Sequence, residues 1–334
     1  MRKQPVHEQV VVITGASSGL GRAVAREAGR RGARVVLAGR NGDALASAAA
    51  EIEAGGGEAL AVSTDVTARE QVDALAAEAV ERFGGIHTWV DNAMVTVYAE
   101  IEHLAEDELR RVIETNFFGS ISGFWAALPH LKRSRGTFVN VNSALAYRGI
   151  PLQAAYCASK AALRTFYESA RVELEKHGAG VDICVILPAA INTPQFDRGR
   201  QKLGLQPQPV PPIYQPEPFA EAIVHMFERP TRELPVGWGA QKLLWGQKLS
   251  PRAGDLVLRR TGWSSQTTGA PKPVDAPDNL FETLPGDPGA HGRFDAQAKG
   301  STAWTSLRLK RGPVALLGLV GVAAALATMR SRSG

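Results

Sequence analysis

Three side chains within one short stretch can do proton chemistry together. In SALAYRGIPLQAAYCASK, residues 143–160, a serine (Ser143) stands thirteen residues before a tyrosine (Tyr156), and a lysine (Lys160) follows four residues later. One helical turn separates Tyr156 from Lys160, so both side chains project from the same face. A phenol ordinarily ionises near pH 10, about three units too high to trade protons freely at neutrality. A neighbouring ammonium favours the phenolate, so the spacing predicts that Lys160 lowers the Tyr156 pKa and makes it a general acid/base. Ser143 would then hydrogen-bond a substrate oxygen as a carbonyl becomes an alcohol, or the reverse. An ordinary amphipathic helix also carries YxxxK by chance, so the decision falls to the rest of the chain.

Upstream lies a scaffold for a nucleotide. Residues 9–14 are an apolar run that reads as a buried parallel strand. It enters TGASSGLG, residues 14–21, and then a helical pattern to about residue 31. Gly15, Ser17, Ser18, Gly19, Leu20 and Gly21 would form a tight strand-to-helix turn. Such glycines let the backbone approach a pyrophosphate, and the helix N-terminus offers free N–H groups and partial positive charge. The next strand, 34–38, ends in Gly39 and Arg40. An acidic residue here would bond the ribose hydroxyls of NAD, whereas Arg40 can clamp a 2′-phosphate, which favours NADP(H). The bland reading of Arg40 is a surface arginine at a strand end.

Strand and helix patterns then alternate. Helices read at 42–54, 68–83, 104–131 (carrying Asn116), around Tyr156, and at 217–229. Strands read at 59–63, 88–90, 137–141, 181–187 and 233–236. The alternation predicts an α/β fold: a Rossmann-like doubly wound seven-stranded parallel sheet with helices on both faces, plus a C-terminal extension. Asp65 and Val66 follow the third strand at the carboxyl edge, where ligands of such sheets collect. DNAM (91–94), with Asn92 and Ala93, follows the fourth strand, and PAAINT (188–193) follows the sixth. Asparagine inside a helix is mildly unfavourable unless its amide has a task.

With these residues assembled, the chain resembles the short-chain dehydrogenase/reductase family over about residues 8–236. The family's TGxxxGxG falls on residues 14–21, and its Asn–Ser–Tyr–Lys tetrad on Asn116, Ser143, Tyr156 and Lys160. The resemblance implies that Tyr156 exchanges the hydroxyl proton and that Lys160 lowers its pKa and holds the nicotinamide ribose. It further implies that Ser143 orients the substrate oxygen and that Asn116 positions a water in a proton relay. By the same resemblance Asp65 contacts the adenine, and Pro188, Ile191 and Thr193 belong to the segment that meets the nicotinamide amide. A homo-oligomer is also implied. Two departures stand out: Asp91 and Met94 replace the asparagine and glycine of the family's NNAG, and Ala189 replaces a usual glycine.

Composition excludes other classes. Hydrophobic content of 44% and charged content of 21% suit a soluble globular body. The two cysteines, Cys157 and Cys184, have no zinc spacing, and the seven histidines show no paired pattern, so no metal site is expected. Net charge is +5, but six basic residues and no acid lie beyond residue 295, leaving 32 of the 38 basic residues against all 33 acidic ones. The excess belongs to the tail, which argues against a nucleic-acid face. The polar start has no signal-peptide character, which points to the cytoplasm.

Residues 195–218 are proline-rich and read as a substrate-covering lid or a tethered connection. Val95, Leu145, Ile150, Leu152 and Phe196 are expected to line a pocket for a small lipophilic carbonyl or alcohol. Beyond the catalytic domain (1–236) the sequence suggests a helical extension (237–263), a Pro/Gly-rich linker (264–300) and a basic-flanked tail (301–334). Within the tail, 313–329 is seventeen uncharged residues, at the lower limit for spanning a bilayer. A membrane anchor, an interfacial helix and a helix docked on a partner subunit all fit it; an anchor would leave the body on the cytoplasmic face. The resulting expectation is an NADP(H)-dependent oxidoreductase. The rivals are an idle nucleotide-binding scaffold and an NAD-linked oxidative alcohol dehydrogenase.

Overall fold

The structure, a computed structural model, describes residues 3–301. Seven strands build its central sheet: β1 (Val10–Thr14), β2 (Arg34–Gly39), β3 (Glu58–Ser63), β4 (Thr88–Asp91), β5 (Thr137–Val141), β6 (Asp182–Pro188) and β7 (Glu233–Val236). All pairings are parallel, in the order β7-β6-β5-β4-β1-β2-β3. This is the doubly wound, Rossmann-like sheet that the alternation predicts.

Strand pleating explains why the apolar runs are continuous. Val11 and Ile13 of β1 face a layer with α1 (Gly19–Arg30), α2 (Gly42–Ala54) and, later in the chain, α8. Val10 and Val12 face the opposite layer, built by α3 (Arg69–Phe83) and by the later helices at Gly119–Ser134 and Ala154–Lys176. Successive side chains point to opposite faces, so a strand covered on both sides has no polar alternation. Local signals set the helix ends: the Asn41 side chain accepts from Ala44 N at 3.0 Å at the start of α2. Gly84, with φ of 82°, closes α3 in the left-handed region.

The helix expected over 104–131 is three pieces: α4 (Glu106–Ile113), one π-helical turn (Glu114–Phe118) and α5 (Gly119–Ser134). Asn116 sits on that turn, and its amide ties to the loop after β4, which the wider turn accommodates. Then follow α6 (Ala154–Lys176), the short α7 (Gln195–Arg198) and α8 (Glu217–Glu228). The order in which strands are added reverses between β1 and β4: β2 and β3 lie to one side and β4 to β7 to the other. A crevice opens at the carboxyl ends of such a switch point.

Residues 195–218 are tethered at two places. Arg200–Gln201 pairs with Val97–Tyr98, and Leu205–Pro207 pairs with Thr267–Pro271. After β7 come α9 (Trp238–Leu249) and α10 (Pro251–Thr261). Where the sequence predicts a linker at 264–300, the structure has chain lying on the catalytic body. Leu280 is buried among Val95, Val97 and Val112, and Phe294 among Tyr98, Phe196 and Ile213. Those apolar residues lie too far apart to make a period, and Pro, Gly and Asp between them give the composition of a linker. Among the described residues no helix is long and apolar enough to cross a membrane. The 313–329 segment lies outside the described residues.

Candidate active site

A cavity of about 970 Å³ lies at the carboxyl ends of the strands. Of the catalytic and cofactor-binding residues expected from sequence, only Gly21 and Asn116 do not line it. Gly21 is excluded by its task, since a Cβ there would fall 2.2 Å from the Gly15 carbonyl oxygen. Gly15 has φ of +65°, and a Cβ on it would meet the Ala93 Cα at 2.8 Å. These contacts press the glycine turn against the loop after β4. Asn92 fastens the two, its Nδ2 donating to the carbonyls of Thr14 and Gly15 at 3.1 Å each.

At the other end of the cavity stand Ser143, Tyr156 and Lys160. Ser143 leaves β5 with its Oγ accepting from Leu145 N at 3.0 Å, which directs the hydroxyl, and it stands near enough to the Tyr156 phenol to favour the ionised form against burial. The Lys160 ammonium donates to the Val141 carbonyl at 2.8 Å and lies 5.7 Å from the centre of the Tyr156 ring. Burial pushes the phenol up to about 12 and the lysine down to about 8, the latter opposed by Asp91. The direction is opposite to the lowering that the sequence spacing predicts. Removing both groups from water outweighs an ammonium that bonds a carbonyl instead of the hydroxyl.

Asn116 has a structural task. Its Oδ1 accepts from Val95 N at 2.8 Å, and its Nδ2 donates to Val95 O at 3.0 Å and to Ser159 Oγ at 3.1 Å. Ser159 in turn donates to the Tyr156 carbonyl at 2.7 Å. Both amide hydrogens are thus used on the protein, and what they hold is α6 against the loop that carries Val95. Asp91 is fully enclosed; it accepts from Asn140 Nδ2 at 2.6 Å and from Ser120 Oγ. Burial raises its pKa. Asn140 relays to Asn142 at 3.0 Å, and Asn142 bonds both Ser143 N (2.8 Å) and the Lys160 carbonyl (3.2 Å). Sequence reasoning missed Asn140 and Asn142, although two polar residues at i and i+2 in an otherwise apolar strand were a usable signal.

At the adenosine end, Asp65 accepts from Thr67 and, at 3.2 Å, from Arg111 Nη2. Burial pushes its carboxyl up, but these partners outweigh it and hold it below the usual range. Arg40 lines the cavity and among the described residues forms no ion pair; its guanidinium donates to the carbonyls of Phe281 and Asn279, and burial lowers its pKa against the pull of Asp65. Met94 also lines the cavity, as do Val95, Leu145, Ile150 and Phe196; Leu152, expected there, does not. Leu152 is buried elsewhere, with its carbonyl accepting from Ala99 N at 2.9 Å. Lining residues that the sequence did not reveal include Tyr98, Arg198, Gln153 and Gln266, the last two joined at 2.6 Å. Gln266, Leu243 and Leu258 come from the C-terminal extension, which therefore walls the substrate end.

A doubly wound sheet, a glycine turn facing its switch point, and a serine–tyrosine–lysine group across one cavity define a nucleotide-linked dehydrogenase architecture. Residues 9–203 match the short chain dehydrogenase family, and the chain belongs to that family of oxidoreductases. It is 36% identical over 274 residues to the uncharacterized oxidoreductase YxnA of Bacillus subtilis (strain 168), covering 81% of this chain and 77% of that one. It is 35% identical over 192 residues to a 3beta-hydroxysteroid dehydrogenase of Mediterraneibacter gnavus, covering 57% and 69%. Among solved structures, an alcohol dehydrogenase from Thermococcus sibiricus complexed with 5-hydroxy-NADP superposes with a TM-score of 0.60 at 28% identity. That match covers 68% of this chain and 94% of the other.

Proposed function

We propose that the chain is an NADP(H)-dependent oxidoreductase that interconverts a carbonyl and an alcohol on a small lipophilic substrate. The observation that carries this reading is the shared cavity: Tyr156, Ser143 and Lys160 stand in the same enclosed space as the glycine turn and Arg40. Its volume lies at the upper end for ligand sites, enough for a dinucleotide together with a small second molecule. The residues suit that ligand: the N-terminus of α1 and Arg40 face anions, Asp65 offers an acceptor near Arg40, and Lys160 offers an ammonium beside Tyr156. Bound NADP(H) would supply the hydride.

The protein's own part is placement and the proton. Ser143 and Tyr156 hold the substrate oxygen between two hydroxyls. Burial keeps the phenol protonated at neutral pH, so in the reductive direction Tyr156 is placed to give its proton to an oxygen that gains negative charge. The charge on Lys160 offsets the phenolate that remains. The 5-hydroxy-NADP complex of the Thermococcus sibiricus relative supports the choice of NADP over NAD. The test is loss of NADPH absorbance over a panel of aliphatic, aromatic and steroidal carbonyls. Turnover with NADPH well above that with NADH is expected. Tight NADPH binding without turnover on any carbonyl would instead favour an idle nucleotide-binding scaffold.

A further inference from the structure

Resting on the cofactor reading above, we propose that residues 279–289 are the outer wall of the dinucleotide site: a strap that covers the adenosine–pyrophosphate half and has to lift for the cofactor to enter or leave. The matched family region ends at residue 203, so this wall is supplied by the chain's own extension.

Backbone carbonyls of this one segment sit on the groups that would bind the ligand's phosphates. Gly289 O accepts from Gly19 N at 3.0 Å, at the first turn of α1. Phe281 O and Asn279 O accept from Arg40 Nη1 and Nη2 at 2.9 and 2.6 Å. Leu284 O accepts from Arg198 Nη2 at 2.7 Å and from Asn41 Nδ2 at 3.1 Å. Carbonyls satisfy these donors without cancelling their charge. Among the described residues neither Arg40 nor Arg198 forms an ion pair, and burial lowers the pKa of both. Both guanidinium groups are half-buried, and their carboxylate neighbours, Asp65 for Arg40 and Asp287 for Arg198, act without forming an ion pair, so an anionic group entering the cavity would add the compensation that is incomplete here.

Is the strap a wall or a plug? Asn279, Thr283, Leu284 and Pro288 line the same cavity as the glycine turn and Arg40, and that cavity keeps about 970 Å³ beneath them. A plug would have filled it. The strap's far end is hooked outside the cavity: Asp287 pairs with the buried Arg22, accepts from Ser47 Oγ at 2.6 Å, and receives its own loop's Gly289 N at 3.0 Å. These bonds hold its carboxyl at about 2. Gly286 and Gly289 flank the hook with positive φ, which gives the backbone freedom to swing there. Leu280 and Ala290 are buried and fix the two ends.

The experiment compares the full chain with Asp287→Asn, and with the milder Ser47→Ala should the first fold poorly. NADPH release is followed by rapid mixing of the loaded protein with excess NADP⁺, and hydrogen–deuterium exchange over 279–289 is recorded with and without NADPH. The expected result is NADPH-dependent slowing of exchange in the strap, with release about tenfold faster in Asp287→Asn, in line with loss of a hydrogen-bonded charge pair. Equal release rates, exchange that ignores NADPH, or tighter binding in the variant (the mark of a plug) would overturn the strap alone. A wild-type chain that binds neither NADPH nor NADH would overturn the cofactor reading, and the strap with it.

Discussion

Lys160 stands one helical turn after Tyr156, yet its ammonium bonds the Val141 carbonyl at 2.8 Å and lies 5.7 Å from the phenol ring's centre. The pair therefore acts through space. A protonated phenol and a cation share one buried pocket, and the cation's worth is realised only when the phenol gives up its proton. On the proposed function, Tyr156 is an acid in waiting and Lys160 stabilises the state that follows.

Tyr156→Phe removes the proton donor and leaves the ring. Turnover is expected to fall about 10²–10⁴-fold, the usual weight of general acid catalysis. NADPH binding, read by fluorescence titration, is expected to stay within a few-fold. Retention of most activity would show that another group supplies the proton.

The pH dependence follows from Lys160. Reduction needs the phenol protonated and the lysine charged, and the lysine titrates first, at about 8. kcat/KM for a carbonyl at saturating NADPH should be flat at lower pH and fall as pH rises through about 8. With its folded pKa below the ordinary 10.5, Lys160 also costs stability below about pH 8, and the cost is relieved as pH climbs towards 10.5. Asp91 favours the charged lysine, so Asp91→Asn should move the falling limb to lower pH. A limb that stays in place would remove Asp91 from this role.

Arg40→Asp exchanges a cation for an anion where a 2′-phosphate would sit. Hydrogen bonds to charged groups contribute about 1.5–3 kcal/mol, so the NADPH-over-NADH ratio of kcat/KM should drop about 10–100-fold. An unaltered ratio would mean that Arg40 only anchors the strap.

Asn116→Ala would leave the Val95 N–H, the Val95 carbonyl and Ser159 without their amide partner. Buried groups stranded in this way cost about 1–3 kcal/mol. The urea midpoint should fall accordingly, and activity should fall with it because Val95 lines the cavity. A variant as stable as the parent but inactive would instead favour the proton-relay role expected from sequence.

The sheet was legible because its strands are buried on both faces and therefore read as plain apolar runs. The glycine turn was legible because its conformations and close contacts admit little but glycine. Asn116 was visible as an odd residue in a helix, but its partner Val95 lies 21 positions away, and pairing of that kind has no sequence period. The strap was hidden more completely: its contacts run through backbone carbonyls, which every residue carries, so no side-chain pattern announces them.

The sequence by itself determined the family and the succession of strands and helices along the chain, and it singled out the candidate reacting groups, because local spacing and hydrophobic periodicity carry these. Only the tertiary structure revealed that the phenol is buried and that the lysine's ammonium bonds the Val141 carbonyl. It alone showed that the Asn116 amide holds the loop that carries Val95, and that a stretch with linker composition lines the cavity. Each of these is a balance between desolvation and a particular partner, and that balance exists only once distant segments have met.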